Sequence, residues 1–232
     1  MMASRAEVET AGPVADAVTA YNRGDFPEAF ADFTRLAEAG DVDAKMWLAA
    51  MYANGEGVEA SLSTAFGLYL EAANEGRPLA QTNVGAMLVM GQGARESHAE
   101  GAKWLARAAE QGDVLAQFNL AVLFGKGQGV EKDDAKAADL YRRAAEVGHY
   151  PSQARLGFHY ANGVGVAKSR VQAFVWFSLA AQHGIGSALN ALEGLIGQMS
   201  VEEKREGAAL VARWRSNTPD ISRMARLNPV PG

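Results

Sequence analysis

Ala116-Gln117-Phe118-Asn119-Leu120-Ala121-Val122-Leu123-Phe124-Gly125-Lys126-Gly127-Gln128-Gly129-Val130 is the stretch that decides the fold. Ala116, Leu120, Leu123 and Phe124 lie three and four apart, the spacing of one helix face, and that face ends at Gly127-Gln128-Gly129. Beyond the turn, Ala137, Leu140, Tyr141, Ala144 and Ala145 repeat the helical spacing up to Gly148. Glycine takes the left-handed backbone that closes a helix at little steric cost. The span therefore reads as two amphipathic helices, each stopped by glycine.

Working outward in both directions, Gly148 belongs to a series Gly40, Gly76, Gly112, Gly148 and Gly184, with a constant step of 36 residues. Glycine is about one residue in nine here, so four further hits at a fixed step have a chance probability on the order of one in ten thousand. Gly127 and Gly129 belong to two more series, Gly55, Gly91, Gly127, Gly163 and Gly57, Gly93, Gly129, Gly165. Alanine holds the columns Ala37, Ala73, Ala109, Ala145, Ala181 and Ala44, Ala80, Ala116, Ala188, the latter with Ser152 in its fourth place. Bulky residues hold Phe33, Tyr69, Leu105, Tyr141, Phe177 and Tyr52, Leu88, Phe124, Tyr160. Small columns let neighbouring helices approach closely, and bulky ones fill the gaps between successive pairs. One pair cannot bury its apolar face alone, so stacked copies are needed.

The expected architecture is all-α, a solenoid of about six helix pairs with a 36-residue repeat. The expected organisation is a flexible N-terminus at 1–12 and a repeat domain at 13–216, with units near 13–41, 42–77, 78–113, 114–149 and 150–185 and a C-terminal cap at 186–216. A tail at 217–232 with Pro219, Pro229 and Pro231 follows. The cap's second helix is announced by Ser200-Val201-Glu202-Glu203, a capping-box pattern.

Composition excludes several classes. A net charge of -5 and no basic run through the main body argue against a nucleic-acid partner. With no cysteine there is no disulfide, thiolate nucleophile or Cys-ligated metal. No stretch has the apolar length of a membrane span. The start has no apolar export region, so the cytoplasm is expected, with the periplasm as the alternative if a signal was removed ahead of Met1. His98, His149, His159 and His183 occupy non-equivalent repeat positions without metal-binding spacing, and neither a metal nor a cofactor is expected. His159 shares a column with Met51, Met87 and Leu123 and is expected to pack partly buried. Gly125-Lys126-Gly127-Gln128-Gly129 lacks the preceding strand that a phosphate loop requires. Arg205, Arg213, Arg215, Arg223 and Arg226 make the C-terminal end locally basic, a solvated face or a dock for an acidic surface.

The Gly-x-Gly-Val turn at Gly127–Val130, the run from Ala135 to Ala145 and Gly148, repeated at the 36-residue step, resemble the Sel-one-like repeat (SLR) family, relatives of the tetratricopeptide repeats, over about residues 14–216. The resemblance implies a right-handed α/α superhelix that serves as an adaptor in protein complexes, often in bacterial signalling or envelope processes. Gly91-Gln92-Gly93-Ala94 departs from the family's valine, and Trp47 and Arg155 stand in the column that holds Asn83 and Asn119. Some relatives have been described as penicillin-recognising enzymes, but Ser-x-x-Lys, Ser-Asp-Asn and Lys-Thr-Gly are all missing. No enzymatic activity is expected.

By the same resemblance, the first helix of each unit lines a concave surface. With Ala116, Leu120 and Phe124 inward, Phe118, Asn119, Val122 and Lys126 point away from the core on the helical wheel. The equivalent positions add Met46, Trp47 and Asn54, then Thr82 and Asn83, then Arg155, Phe158 and Asn162. The expected site is a peptide-binding groove built from these residues. Asparagine can donate and accept to an extended backbone, and the aromatic rings can anchor apolar side chains. The alternatives are a penicillin-recognising enzyme and a self-associating structural spacer.

Overall fold

The computed structural model describes residues 14–217, and every element in them is helical. The expected flexible N-terminus at 1–12 and the tail from 218 to 232 lie outside the described residues. The chain divides into two compact units, residues 1–96 and 97–232. The first contains α1 (Val14–Asn22), α2 (Phe26–Glu38), α3 (Val42–Asn54), α4 (Leu62–Asn74) and α5 (Pro78–Met90). The second contains α6 (His98–Glu110), α7 (Val114–Lys126), α8 (Asp134–Glu146), α9 (Tyr150–Asn162), α10 (Arg170–Gln182), α11 (Gly186–Ile196) and α12 (Val201–Asn217). The fold class is thus the all-helical one, with consecutive antiparallel neighbours packed in sequence order within each unit.

The second helix of each repeat starts on the same chemistry. Asp25, Ser61, Ser97, Asp133 and Ser169 each accept a hydrogen bond from the backbone N–H three residues on. These caps keep the 36-residue step. At α12 the capping box closes both ways, Ser200 N–H to Glu203 Oε2 at 2.8 Å and Glu203 N–H to Ser200 Oγ at 3.1 Å. Ser169→Ala leaves a helix donor unsatisfied and is expected to lower stability by about 1 kcal/mol, measured as a shift in the urea midpoint; no shift would mean that solvent replaces the cap.

The two glycines of each Gly-x-Gly turn do different work. The first closes the helix: Gly127 caps α7 at φ 66°. The second makes contact with the preceding repeat. At Gly165, with φ +66°, an added Cβ would overlap the backbone of Asp134 and Ala135 at the start of α8, and Gly129 stands in the same relation to His98 and Ala99 at the start of α6.

The bulky column Phe33, Tyr69, Leu105, Tyr141 and Phe177 is buried throughout, as are Ala44, Ala80, Ala116, Ser152 and Ala188. Burial pushes the Tyr69 hydroxyl up to about 12. In the first unit α1, α2 and α3 share a core around Phe33, Leu36, Leu48 and Met51, and in the second α9, α10 and α11 share one around Phe177, Leu195 and Met199. A polar column runs through this packing. Gln81, Gln117 and Gln153 are buried and donate through Nε2 to the carbonyls of Ala73, Ala109 and Ala145, at 3.2, 3.4 and 3.1 Å. Each ties the last turn of one second helix to the first helix that follows, which supplies a partner for a helix-terminal carbonyl.

Candidate functional site

The expected groove residues all lie on first helices, and their freedom follows from how tightly those helices are enclosed. On α5, Ala80, Gln81 and Thr82 are buried in succession, and on α9 Ser152, Gln153 and Ala154 are too. Three consecutive buried positions at 100° steps cover more than half of a helix's circumference. A wheel with one core face and one solvent face therefore overstates the free surface. Thr82 corrects the sequence reading: at 3% exposure it belongs to the packed side of α5.

In the first unit, Trp47 is half-buried rather than free. Its ring stacks on Phe33 with centroids 5.5 Å apart and planes at 3°, and Tyr21 tilts against it at 5.0 Å. The Tyr21 hydroxyl donates to Glu56 Oε2 at 2.7 Å, and Asn54 Nδ2 donates to the same oxygen at 3.2 Å. Burial and the Glu56 carboxylate both raise the Tyr21 hydroxyl above its ordinary pKa, so it stays a donor. Asn54 is thus exposed but engaged within the chain. Met46 is half-buried, as is Asn83, whose Nδ2 is enclosed without a hydrogen-bond acceptor among the described residues.

In the second unit, Phe118, Asn119 and Val122 are half-buried along α7, and Arg155, Phe158 and Asn162 are exposed along α9. Phe118 meets Tyr141 at 5.7 Å and the edge of His149 at 5.1 Å. Phe158, 37% exposed, sets its edge on Phe177 at 4.9 Å. Asn162 Nδ2 donates to its own helix at Phe158 O, 2.9 Å. Arg155 makes no ion pair among the described residues; its charge lies close enough to Tyr141 to oppose, without cancelling, the rise in that hydroxyl's pKa caused by burial. His159 packs partly buried as expected, with Nδ1 2.8 Å from Val164 O and its ring against Tyr141 at 5.4 Å. His183 stacks on Tyr150 at 3.6 Å.

Tyr21, Glu56, Tyr141 and His149 were not among the expected site residues, yet they define the surroundings of Trp47, Asn54 and Phe118. Tyr141 stood in a bulky column and was legible as packing. Glu56 is the variable residue inside a Gly-x-Gly turn, with no pattern to mark it. Among the described residues, no three His, Asp or Glu side chains gather as metal ligands, and no helix is long and apolar enough to cross a membrane.

Helix pairs at a fixed step, second-glycine contacts and a glutamine column define a helical repeat protein. The Sel1 repeat family model matches residues 42–76, 78–113, 114–149 and 151–185, more than half of the chain, and the chain belongs to the Sel1 repeat family. Members of that family typically act as protein-interaction scaffolds. Among solved structures, the chain is similar to a Sel1 repeat protein from Oxalobacter formigenes, with 32% identity, a TM-score of 0.74, and coverage of 86% of this chain and 84% of that one. It is also similar to c5321, a protective antigen of uropathogenic Escherichia coli with an SLR fold, with 30% identity and a TM-score of 0.77. That match covers 88% of this chain but 44% of the antigen, so the chain spans less than half of the antigen's length. A sel1 repeat protein from Klebsiella pneumoniae, at 21% identity and a TM-score of 0.52, shares the fold over 79% of this chain and 91% of its own. No curated protein matches by sequence.

Proposed function

We propose that this protein is a non-catalytic adaptor that holds an extended segment of another protein along its first helices, in a bacterial signalling or envelope-related complex. The observation that carries this reading is on α7 and α9. Arg155 and Phe158 on α9 are exposed, and Asn119 and Val122 on α7 are half-buried, while their neighbours Leu120, Leu156 and Gly157 are buried. An apolar side chain of the partner packs on Val122 and Phe158, an acidic one pairs with Arg155, and the asparagine amide bonds the partner's backbone. On the first unit, the half-buried Met46 and Trp47 offer a more apolar surface of the same kind.

A nucleophilic role has one superficial support, the 2.8 Å contact between His149 Nδ1 and Ser152 Oγ. Ser152 is fully buried, so no substrate carbonyl reaches that oxygen, and the contact reads as part of the α9 start.

The test is a photocrosslinking amino acid placed at Val122 in the native cell, compared with one at Lys136 on the exposed side of α8. The expected result is a specific protein crosslink from position 122, absent from 136, with Arg155→Glu weakening the purified complex about 30-fold, the scale of a 2 kcal/mol hot spot. Equal crosslinking from both positions, or an affinity indifferent to Arg155→Glu, would count against the groove.

A further inference from the structure

The last helix pair leaves an apolar groove. Within the second unit α7 packs on α8 and α9 on α10, but α12 lies against α10. Gly207 permits this: it is buried, and an added Cβ would meet Cδ1 of Phe174 at 2.6 Å. A groove of about 470 Å³ remains between α11 and α12, floored by Phe174 and Ala181, walled by Leu189 and Leu192 on one side and Val211 on the other, with Arg215 at its rim.

Three columns that are buried inside the repeats surface in this groove. Ala73, Ala109 and Ala145 are buried, and Ala181 is half-buried. Val84, Leu120 and Leu156 are buried, and Leu192 is half-buried. Gln81, Gln117 and Gln153 are buried, and the next residue in their column is Leu189, 47% exposed. The end of a repeat array that faces water is expected to turn polar. Here the column turns from glutamine to leucine where it loses its cover, which is the pattern of a surface that something covers.

We propose that the groove is covered by residues 221–227 of the same chain. This segment lies outside the described residues. Arg215 stands two residues before the end of α12, so the chain continues from beside the groove. Residues 218–232 carry Ile221, Met224 and Leu227 at three-residue steps, and Asp220 is their one acidic side chain. Arg215 is the one charged residue lining the groove and has no ion pair among the described residues. Asp220 supplies the missing charge. The tether also favours this occupant: a segment joined to α12 by only a few residues meets the groove at an effective concentration in the millimolar range, which a separate partner of similar affinity does not reach.

The chain has no cysteine, so Leu189→Cys creates a single thiol inside the groove. Its rate of maleimide labelling is measured in the full chain and in the full chain also carrying I221D, M224D and L227D, with helical circular dichroism confirming the fold of both. At least tenfold faster labelling with the three aspartates, at all protein concentrations, is the expected result. A second full-length variant with Leu189→Cys and Met224→Cys is expected to form its disulfide within one chain under mild oxidation. Labelling unchanged by the aspartates, protection that grows with protein concentration, or disulfides formed only between two copies would overturn the proposal, the last two in favour of a second copy as occupant. Because neither Val122 nor Arg155 lines the groove, this outcome is independent of the peptide-binding test.

Discussion

Gly165→Ala is expected to destabilise the chain by about 3 kcal/mol or more, and Gly184→Ala by only about 1 to 2 kcal/mol. Both glycines have a left-handed backbone, at φ +66° and +83°. Alanine at either position pays the same conformational penalty. They differ in what surrounds them. Nothing lies within 4 Å of a Cβ at Gly184, whereas at Gly165 the backbone of Asp134 and Ala135 occupies the place. A side chain tip can rotate away, but a helix terminus cannot, so α8 and the turn must separate. In a repeat array stability is approximately a sum of repeat and neighbour-interface terms, so the damage reaches the contact between successive pairs. Urea unfolding followed by circular dichroism measures both variants. Equal losses would show that only the backbone conformation of these glycines matters.

Acid is expected to weaken the protein through His149. The ring sits at the start of α9 against Phe118, with Nδ1 bonded to Ser152 Oγ, and burial pushes its pKa from 6.5 down to about 4. The folded state therefore favours the neutral ring. Between about pH 6.5 and 4 the unfolded chain binds the proton and the folded chain does not, so stability falls as pH falls through this window. The contribution is fully present above the unfolded pKa and gone below the folded one. The size is about 3 to 4 kcal/mol at most, from a shift of this order at roughly 1.4 kcal/mol per unit, and less to the extent that solvent screens the partly exposed ring. Carboxylates also titrate there, so the measurement compares urea midpoints of the wild type and His149→Asn from pH 7 to pH 4. Asparagine keeps a polar partner for Ser152 and cannot take up a proton, and its curve should be flatter on the acid side. Parallel curves would remove His149 from the account.

Much of the fold was open to reading in the residues because a repeated constraint leaves a repeated residue. Gly40 and its successors, the alanine columns and the buried series from Phe33 to Phe177 recur because each copy meets the same neighbours. Two further columns kept the same step without being recognised as such, the caps Asp25, Ser61, Ser97, Asp133 and Ser169 and the buried glutamines. The caps hide because serine and aspartate alternate in one role. The glutamines hide because a polar residue on a helix is expected outside, and only its bond to a carbonyl eight residues back accounts for its burial.

The candidate site was less legible because binding surfaces do not repeat. The wheel placed Thr82 outward, but α5 is enclosed over more than half its circumference. It placed Trp47 and Asn54 free, but a ring stack and a glutamate inside a turn hold them. What the sequence by itself determined was the period, the helices and the family, all of them set by local backbone preference and by contacts that every copy shares. Only the tertiary structure decided which outward positions stay free and that α12 swings onto α10 to open a terminal groove. Those depend on side chains distant in sequence meeting once, and a contact made once leaves no period to read.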